Sequence, residues 1–526
     1  MGDGTNSKGA IASGHPATCR AAAAILDNGG NAFDAALAGM CAACVAEPLL
    51  GSLGGGGFLL ARPISGPLAQ RTSVYDFFAQ TPLQRRPDGN IEFFPINANF
   101  GPTVQEFHIG MGSIATPGIV KGLFEAHRDL GYMPLRQIVE PAVTLAREGV
   151  RIDAMQAYAL QVLRPMLVIR ETVRTLFIRH DGSEDWLGEG DIQRLPDMAD
   201  ALEMIAIEGE DLFYRGEIAR AIAEDSASQG GFLTRADFEN YRIERRGALT
   251  CEAFGAELYL NPPPSTGGIL IAFALELLRE ANLAAAGFGT VGAIQRLASV
   301  MALTNRARVE SRLHELDAGA ARDTLLDPAL LERYRTEVLG HPSTARGTTH
   351  ISVVDRAGNA ASLSFSNGEG SGYAVPGTAI LLNNMMGEED INPQGFLQWP
   401  CNTRMSSMMA PTLAIEADGT LIVLGSGGAN RLRTAILQVL LNLLVHRLPA
   451  PTAIASPRIH FENDRLSLEP GFNEADVERL SRLFPDLHRW QEQNLFFGGV
   501  HVASRRPDGE TSGAGDARRG GAGLVV

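Results

Sequence analysis

The sequence predicts an α+β fold, and three observations carry that reading. From about Ser113 to Gly340 the apolar residues recur at helical spacing, as in "GIVKGLFEAHRDL" and "LRQIVEPAVTLAREGV". From Thr348 onward they alternate over short runs bounded by turn residues, the habit of strands and hairpins. The chain has 526 residues, 45% of them hydrophobic and 20% charged, an ordinary composition for a protein with a large core. That length exceeds a common single domain, so two closely packed halves are expected. They are residues 1–347, rich in helix, and residues 348–526, rich in strand.

His15-Pro16 followed by "ATCRAAAAILDNGG" reads as a helix with proline at its first position and glycine at its C-terminal cap. A second helix runs from about Ala32 to Cys44 and is closed by Glu47-Pro48. "GSLGGGGFLLARP" then leads four glycines, Gly54 to Gly57, into an apolar strand. The run lacks the Lys-Ser/Thr and helix start of a phosphate loop. Close approach of backbone to another segment or to a ligand suits it better. "NPPPSTGG" at 261–268 is a rigid turn within the helical middle, and a helix from near Thr290 continues through "AIQRLASVMALTNRARVESRL". After "LLERYRTEVLG" nothing holds "HPSTARG" in a helix, so 341–347 reads as a linker.

Residues Thr349 to Val354 alternate, Asp355-Arg356-Ala357-Gly358-Asn359 supplies turn chemistry, and a partner strand follows from Ala360 to Ser366. "APTLAIEADGTLIVLGSGG" is a second hairpin, joined through Ala417-Asp418-Gly419. A helix is expected from about Arg431 to Val445, apolar at Leu432, Ile436, Leu440 and Leu443.

Charge and cysteine content narrow the function. A net charge of −15 argues against nucleic-acid or anionic-membrane partners, which need clustered positive charge. The five cysteines cannot all pair, and Cys41 and Cys44 form a lone CxxC inside an Ala-rich helix, where small core residues are the expected role. No His/Cys/Asp/Glu cluster has metal spacing, so no metal and no other cofactor are expected. "MGDGTNSKGAIASG" has no apolar signal region and no span could cross a bilayer, which gives a cytoplasmic expectation.

What remains to be explained is the abrupt strand start at Thr348. A hydroxyl is a poor nucleophile until a base takes its proton, and a chain's own α-amino group, with a pKa of about 8, can be that base. Making Thr348 a chain's first residue requires breaking the Gly347–Thr348 bond. Gly347 leaves room for the Thr348 hydroxyl to attack the preceding carbonyl. A β-branched residue opening a strand needs none of this.

The wider sequence decides between them. "TTHISVVDRAGNA", "ILLNNMM", "RMSSMMAPT" and "GSGGANR" follow in order, after "NGGNAFDAALA", "GGGGF", "TPGIVKG", "MPLRQIVEPAVTLAREG", "LFYRGEIA" and "PPPSTGG". Together, from about Gly14 to Asp516, they resemble the γ-glutamyltransferase family of N-terminal-nucleophile hydrolases. The resemblance implies a precursor cut before a threonine, giving a large and a small chain in one four-layer αββα sandwich. Position by position, Thr348 matches the nucleophile, with Thr349 and His350 continuing its motif. Ser366 stands where the family has a threonine that hydrogen-bonds the nucleophile. Gly427 and Gly428 match the pair whose N–H groups hold the oxyanion, and their strand-to-helix position fits that task. Ser406 and Ser407 match the serines at the donor's α-carboxylate. His350 is given no proton-transfer role.

The departures fall on the substrate. Phe78, in "YDFFAQTP", stands where the family has an arginine for the α-carboxylate, and an apolar ring is no substitute for a bidentate cation. Met385 and Glu388 replace the glutamine and aspartate that hold the amino group, and Asn367 covers the family's asparagine only approximately because its loop is two residues shorter. Arg404 is a candidate replacement for the missing arginine. Three readings follow: a γ-glutamyltransferase acting on glutathione or another γ-glutamyl compound; the same mechanism on another donor, such as a dicarboxylic monoamide or an acylated β-lactam; or an uncleaved, non-catalytic relative. The partners implied are an acyl donor, water or an amine acceptor, the two chains of one precursor and a homodimer of that unit.

Overall fold

The computed structural model describes residues 7–86, 90–99, 104–279, 281, 283–311, 318–327, 330, 331, 334, 348–392, 395–428 and 431–526. The linker 341–347, with Gly347, lies outside the described residues.

Two antiparallel sheets dominate. The first has seven strands in the spatial order Ala522–Val525, Gly9–Ser13, Thr349–Asp355, Ala360–Ser366, Gly56–Arg62, Ser73–Phe77 and Glu244–Gly247. The second has six, ordered Thr511–Ala514, Gly499–Arg505, Leu421–Gly427, Thr412–Glu416, Ala256–Leu260 and Leu249–Ala253. The strand opened by Thr349 is thus interior, with Gly9–Ser13 and Ala360–Ser366 on either side.

Alternation along that strand assigns its two faces. Ile351 and Val353 share a core with the helices Pro16–Asp27 and Ala32–Ala46. The other face meets the second sheet. There Ser352 donates to the carbonyl of His501 and Ser362 to that of Leu424, each at 3.0 Å. A Cβ on Gly425 would collide with the His350 ring. The far side of the second sheet carries the helices Gly267–Leu278 and Arg431–Leu444.

The expected hairpin, Thr349–Asp355 with Ala360–Ser366, forms, as does Thr412–Glu416 with Leu421–Gly427. The first helix begins at Pro16 as expected, but its C-cap is Asn28, with Gly29 at φ 90° one residue later. The second helix extends to Ala46 and starts with a capping box between Asn31 and Asp34. Cys41 and Cys44 are buried in that helix and unpaired. The glycine run does allow close approach: Cβ atoms on Gly55 and Gly57 would collide with the carbonyls of Ser366 and Ser364.

The helix-rich first part also supplies strands to both sheets. Residues before 348 supply four strands of the first sheet and two of the second. The stretch 244–260, expected within a helical region, forms three of them. Its strands are four or five residues long with largely exposed alternate positions, too short for an alternating pattern to stand out.

Candidate active site

Thr348 immediately precedes the interior strand and is 4% exposed. It borders a small recess of about 30 Å³ with Phe78, Ser366, Met385, Glu388, Asp390, Ile391, Ser407, Met408, Met409 and Leu432. The first sheet places Thr348 and Ser366 here from neighbouring strands, since Thr349 pairs with Phe365. Ser366 Oγ accepts the Gly368 N–H at 2.9 Å, which fixes its rotamer.

Gly427 ends the adjoining strand of the second sheet against the Thr348 carbonyl, where any side chain would collide. Gly428 follows at φ 115°, a left-handed value that favours glycine. The carbonyl of Thr348 also accepts Nη1 of Arg519 at 3.1 Å.

Of the expected substrate residues, Phe78, Met385, Glu388 and Ser407 meet at the recess. Phe78 is buried and stacks on Phe58 with ring centroids 5.3 Å apart. Ser407 Oγ accepts the Met409 N–H at 3.1 Å. Two residues lie elsewhere. Ser406 donates to the Pro264 carbonyl at 2.8 Å and borders a neighbouring cavity with Trp399 and Arg404. Asn367 is fully buried, turned toward the Leu382 carbonyl at 3.4 Å, and is not among the residues around the recess.

Arg404 does not replace the missing arginine. Its guanidinium donates to the carbonyls of Phe78 and Arg242 and to the Tyr241 hydroxyl. It also lies 3.6 Å from Asp76 and 4.8 Å from the centre of the Tyr241 ring. Among the described residues no Lys, Arg or His borders the recess, whereas two carboxylates, Glu388 and Asp390, do.

His350 is structural. Its Nδ1 and Nε2 pair with the hydroxyls of Ser364 and Ser352 at 2.8 and 2.9 Å, and burial drives its pKa well below the usual imidazole value. Such a ring stays neutral and away from the recess. Among the described residues no group of three or more His, Cys, Asp and Glu side chains could hold a metal ion.

Sequence reasoning missed Asp390, Ile391, Met408, Met409 and Leu432, and also Glu47 and Arg519 behind Thr348. Asp390 had a weak signal in the acidic run "GEED". Glu47 and Arg519 had none, because 472 positions separate them and only the folded sheet brings them to one strand.

The fold and this arrangement define a class, the N-terminal-nucleophile hydrolases, in which a strand-opening residue sits at a cleft between two sheets. The chain belongs to the gamma-glutamyltranspeptidase family, whose sequence model matches residues 18–526. It is 30% identical to the glutathione hydrolase proenzyme of Escherichia coli K12, over 97% of this chain and 90% of that one. It is also 30% identical to the acylase ACY 1 proenzyme of Pseudomonas sp. strain V22, over 99% and 94%. Cephalosporin acylase from Bacillus halodurans has the same fold, with a TM-score of 0.82 at 23% identity over 98% of this chain and 96% of that one.

Proposed function

We propose that the chain is a precursor that cuts its own Gly347–Thr348 bond and then acts as a threonine amidohydrolase and acyl transferase. Its donor is an amide whose acyl part carries an ammonium and needs no carboxylate of its own. Residues 1–347 and 348–526 become the two chains, and the sheets with their outer helices form one four-layer αββα sandwich.

In maturation the Thr348 hydroxyl attacks the Gly347 carbonyl carbon, the C–N bond breaks as its nitrogen takes the hydroxyl proton, and an ester with a free Thr348 α-amine results. Water then hydrolyses that ester to the Gly347 carboxylate and the restored Thr348 hydroxyl. In turnover this amine takes the hydroxyl proton as Oγ attacks the donor carbonyl, then passes it to the departing amine. The acyl-threonine ester goes on to water or to an amine acceptor. Gly427 and Gly428 supply N–H groups to the oxyanion, and Ser366 holds the Thr348 hydroxyl in line. One lost oxyanion donor costs about 10²–10³ in rate.

The single observation behind the donor assignment is that Phe78 and no Lys, Arg or His among the described residues borders the recess, while Arg404 is engaged behind it. Losing an arginine–carboxylate pair costs about 2–5 kcal/mol, more than tenfold in binding. Glu388 favours an ammonium and opposes a second carboxylate, which counts against a dicarboxylic monoamide, while the charge of Asp390 is offset by Arg308, Arg431 and Arg433. Ser407 and Glu388 keep the γ-glutamyl reading in play, since both border the recess.

Three anilides separate these cases: γ-glutamyl, 4-aminobutyryl (no α-carboxylate) and glutaryl (no ammonium). The 4-aminobutyryl compound is expected to match or exceed the γ-glutamyl one in kcat/KM, with the glutaryl compound slower by about tenfold or more. A γ-glutamyl preference of more than about tenfold over 4-aminobutyryl would overturn the donor assignment.

A further inference from the structure

Two buried groups of opposite charge hold the backbone and side chain at the start of the strand, at Thr348 and Thr349. Arg519, 5% exposed, donates from Nη1 to the carbonyl of Thr348 at 3.1 Å. Its side chain occupies space left by three glycines, since Cβ atoms on Gly427 and Gly428 would crowd the guanidinium and one on Gly499 would collide with the aliphatic stem. Glu47, also 5% exposed, accepts the Thr349 hydroxyl at 2.9 Å and the Thr18 hydroxyl at 3.2 Å. Gly14 makes room for it, because a Cβ there would collide with Oε2.

Both residues line one small cavity of about 20 Å³. His15, Ile152 and Asp153 line both that cavity and a larger one of about 550 Å³.

We propose that Glu47 and Arg519 are positioning residues that fix the Thr348 backbone and, by their opposing charges, set the proton affinity of the α-amine released on cleavage. The inference rests on Thr348 being the nucleophile. The amine nitrogen of a residue lies about 3 Å from its own carbonyl oxygen, so Arg519 sits within reach of it, where a cation disfavours the ammonium form. Glu47, one residue along on the other face, favours it.

The charged and titratable groups around this pair come from every packed element. Cys19 lies on the first helix, Cys44 on the second, His15 and Arg20 at the first helix's start, Asp153 at another's, His501 on the strand Gly499–Arg505, and Glu369 and Asp516 beside Arg519. Burial raises the Glu47 carboxyl to about 7, against the pull of Thr349, Thr18 and Arg519. The pair's net charge therefore changes near neutral pH.

The test is the acid limb of kcat/KM against pH, measured on the cleaved enzyme with the anilide it hydrolyses best. Glu47→Gln removes the anion and is expected to move that limb down by about one pH unit. Arg519→Met removes the cation and is expected to move it up by about as much. Arg519→Lys keeps the charge but not the fork, so kcat falls while the limb stays within about 0.3 unit. If the Glu47→Gln precursor stays uncut, Thr349→Ala weakens the hold on ionised Glu47 and should shift the limb the same way. Limbs that do not move, or that move in one direction for both charge removals, would overturn the proposal. Wild-type turnover with Thr348 as the N-terminus of the small chain would stand in that event, so the two failures are distinguishable.

Discussion

The carbonyl of Thr348 is closely confined. Gly427 packs against it, and Arg519 donates to it from the space that glycine leaves. Gly427→Ala is expected to displace that carbonyl and lower both cleavage and turnover by at least about 100-fold, read as uncut precursor on a denaturing gel and as kcat of any cleaved fraction. Activity within a few-fold of wild type would remove Gly427 from the oxyanion site. At this scale the sequence was partly legible. Thr348 stood out because its strand begins abruptly, and Phe78 because a ring replaces a cation. That Arg404 is engaged elsewhere was not legible: its partners Asp76, Tyr241 and Arg242 lie more than 160 positions away and mark no local pattern.

Between strands, small residues decide how closely backbones approach. The run Gly54–Gly57 brings one chain segment against Ser366, Ala79 and Leu382 without side chains between them. Gly55→Ala would force its Cβ into the Ser366 carbonyl, moving a residue that borders the recess. A loss of about 1–3 kcal/mol is expected in denaturant unfolding, together with slower maturation. An unchanged unfolding midpoint would show that the close approach carries no load. Hairpins with "DRAGN" and "ADG" turns were legible because their turn residues have specific chemistry. The 244–260 strands were not, because burial on neighbouring strands, not local periodicity, holds them in the sheets.

Across the whole molecule, both sheets draw strands from either side of residue 347, so the proposed scission would leave the two chains interleaved. Buried charge ties this body to pH. The Glu47 carboxyl is raised from 4.5 to about 7 by burial. A raised folded-state pKa gives stability that is fully present below about 4.5 and lost as pH rises through about 7, worth about 3 kcal/mol. Asp516 has the opposite sign. Arg458, at 2.6 Å, and Arg518, at 3.2 Å, hold its carboxyl below the ordinary carboxylate value despite burial. Its stabilisation is lost as pH falls below the usual carboxylate range. Glu47→Gln should therefore flatten the fall in unfolding free energy between pH 5 and about 7.5, while leaving the acid loss in place. A parallel offset across that range would contradict the assignment.

Self-cleavage before Thr348 is tested most directly by N-terminal sequencing, with intact mass, of the purified protein beside its Thr348→Ala variant. The expected result is a small chain beginning Thr-Thr-His-Ile in the wild type and a single uncut chain without amide turnover in the variant. Turnover by a wild-type chain that remains full-length, or by the uncut variant, would contradict the mechanism.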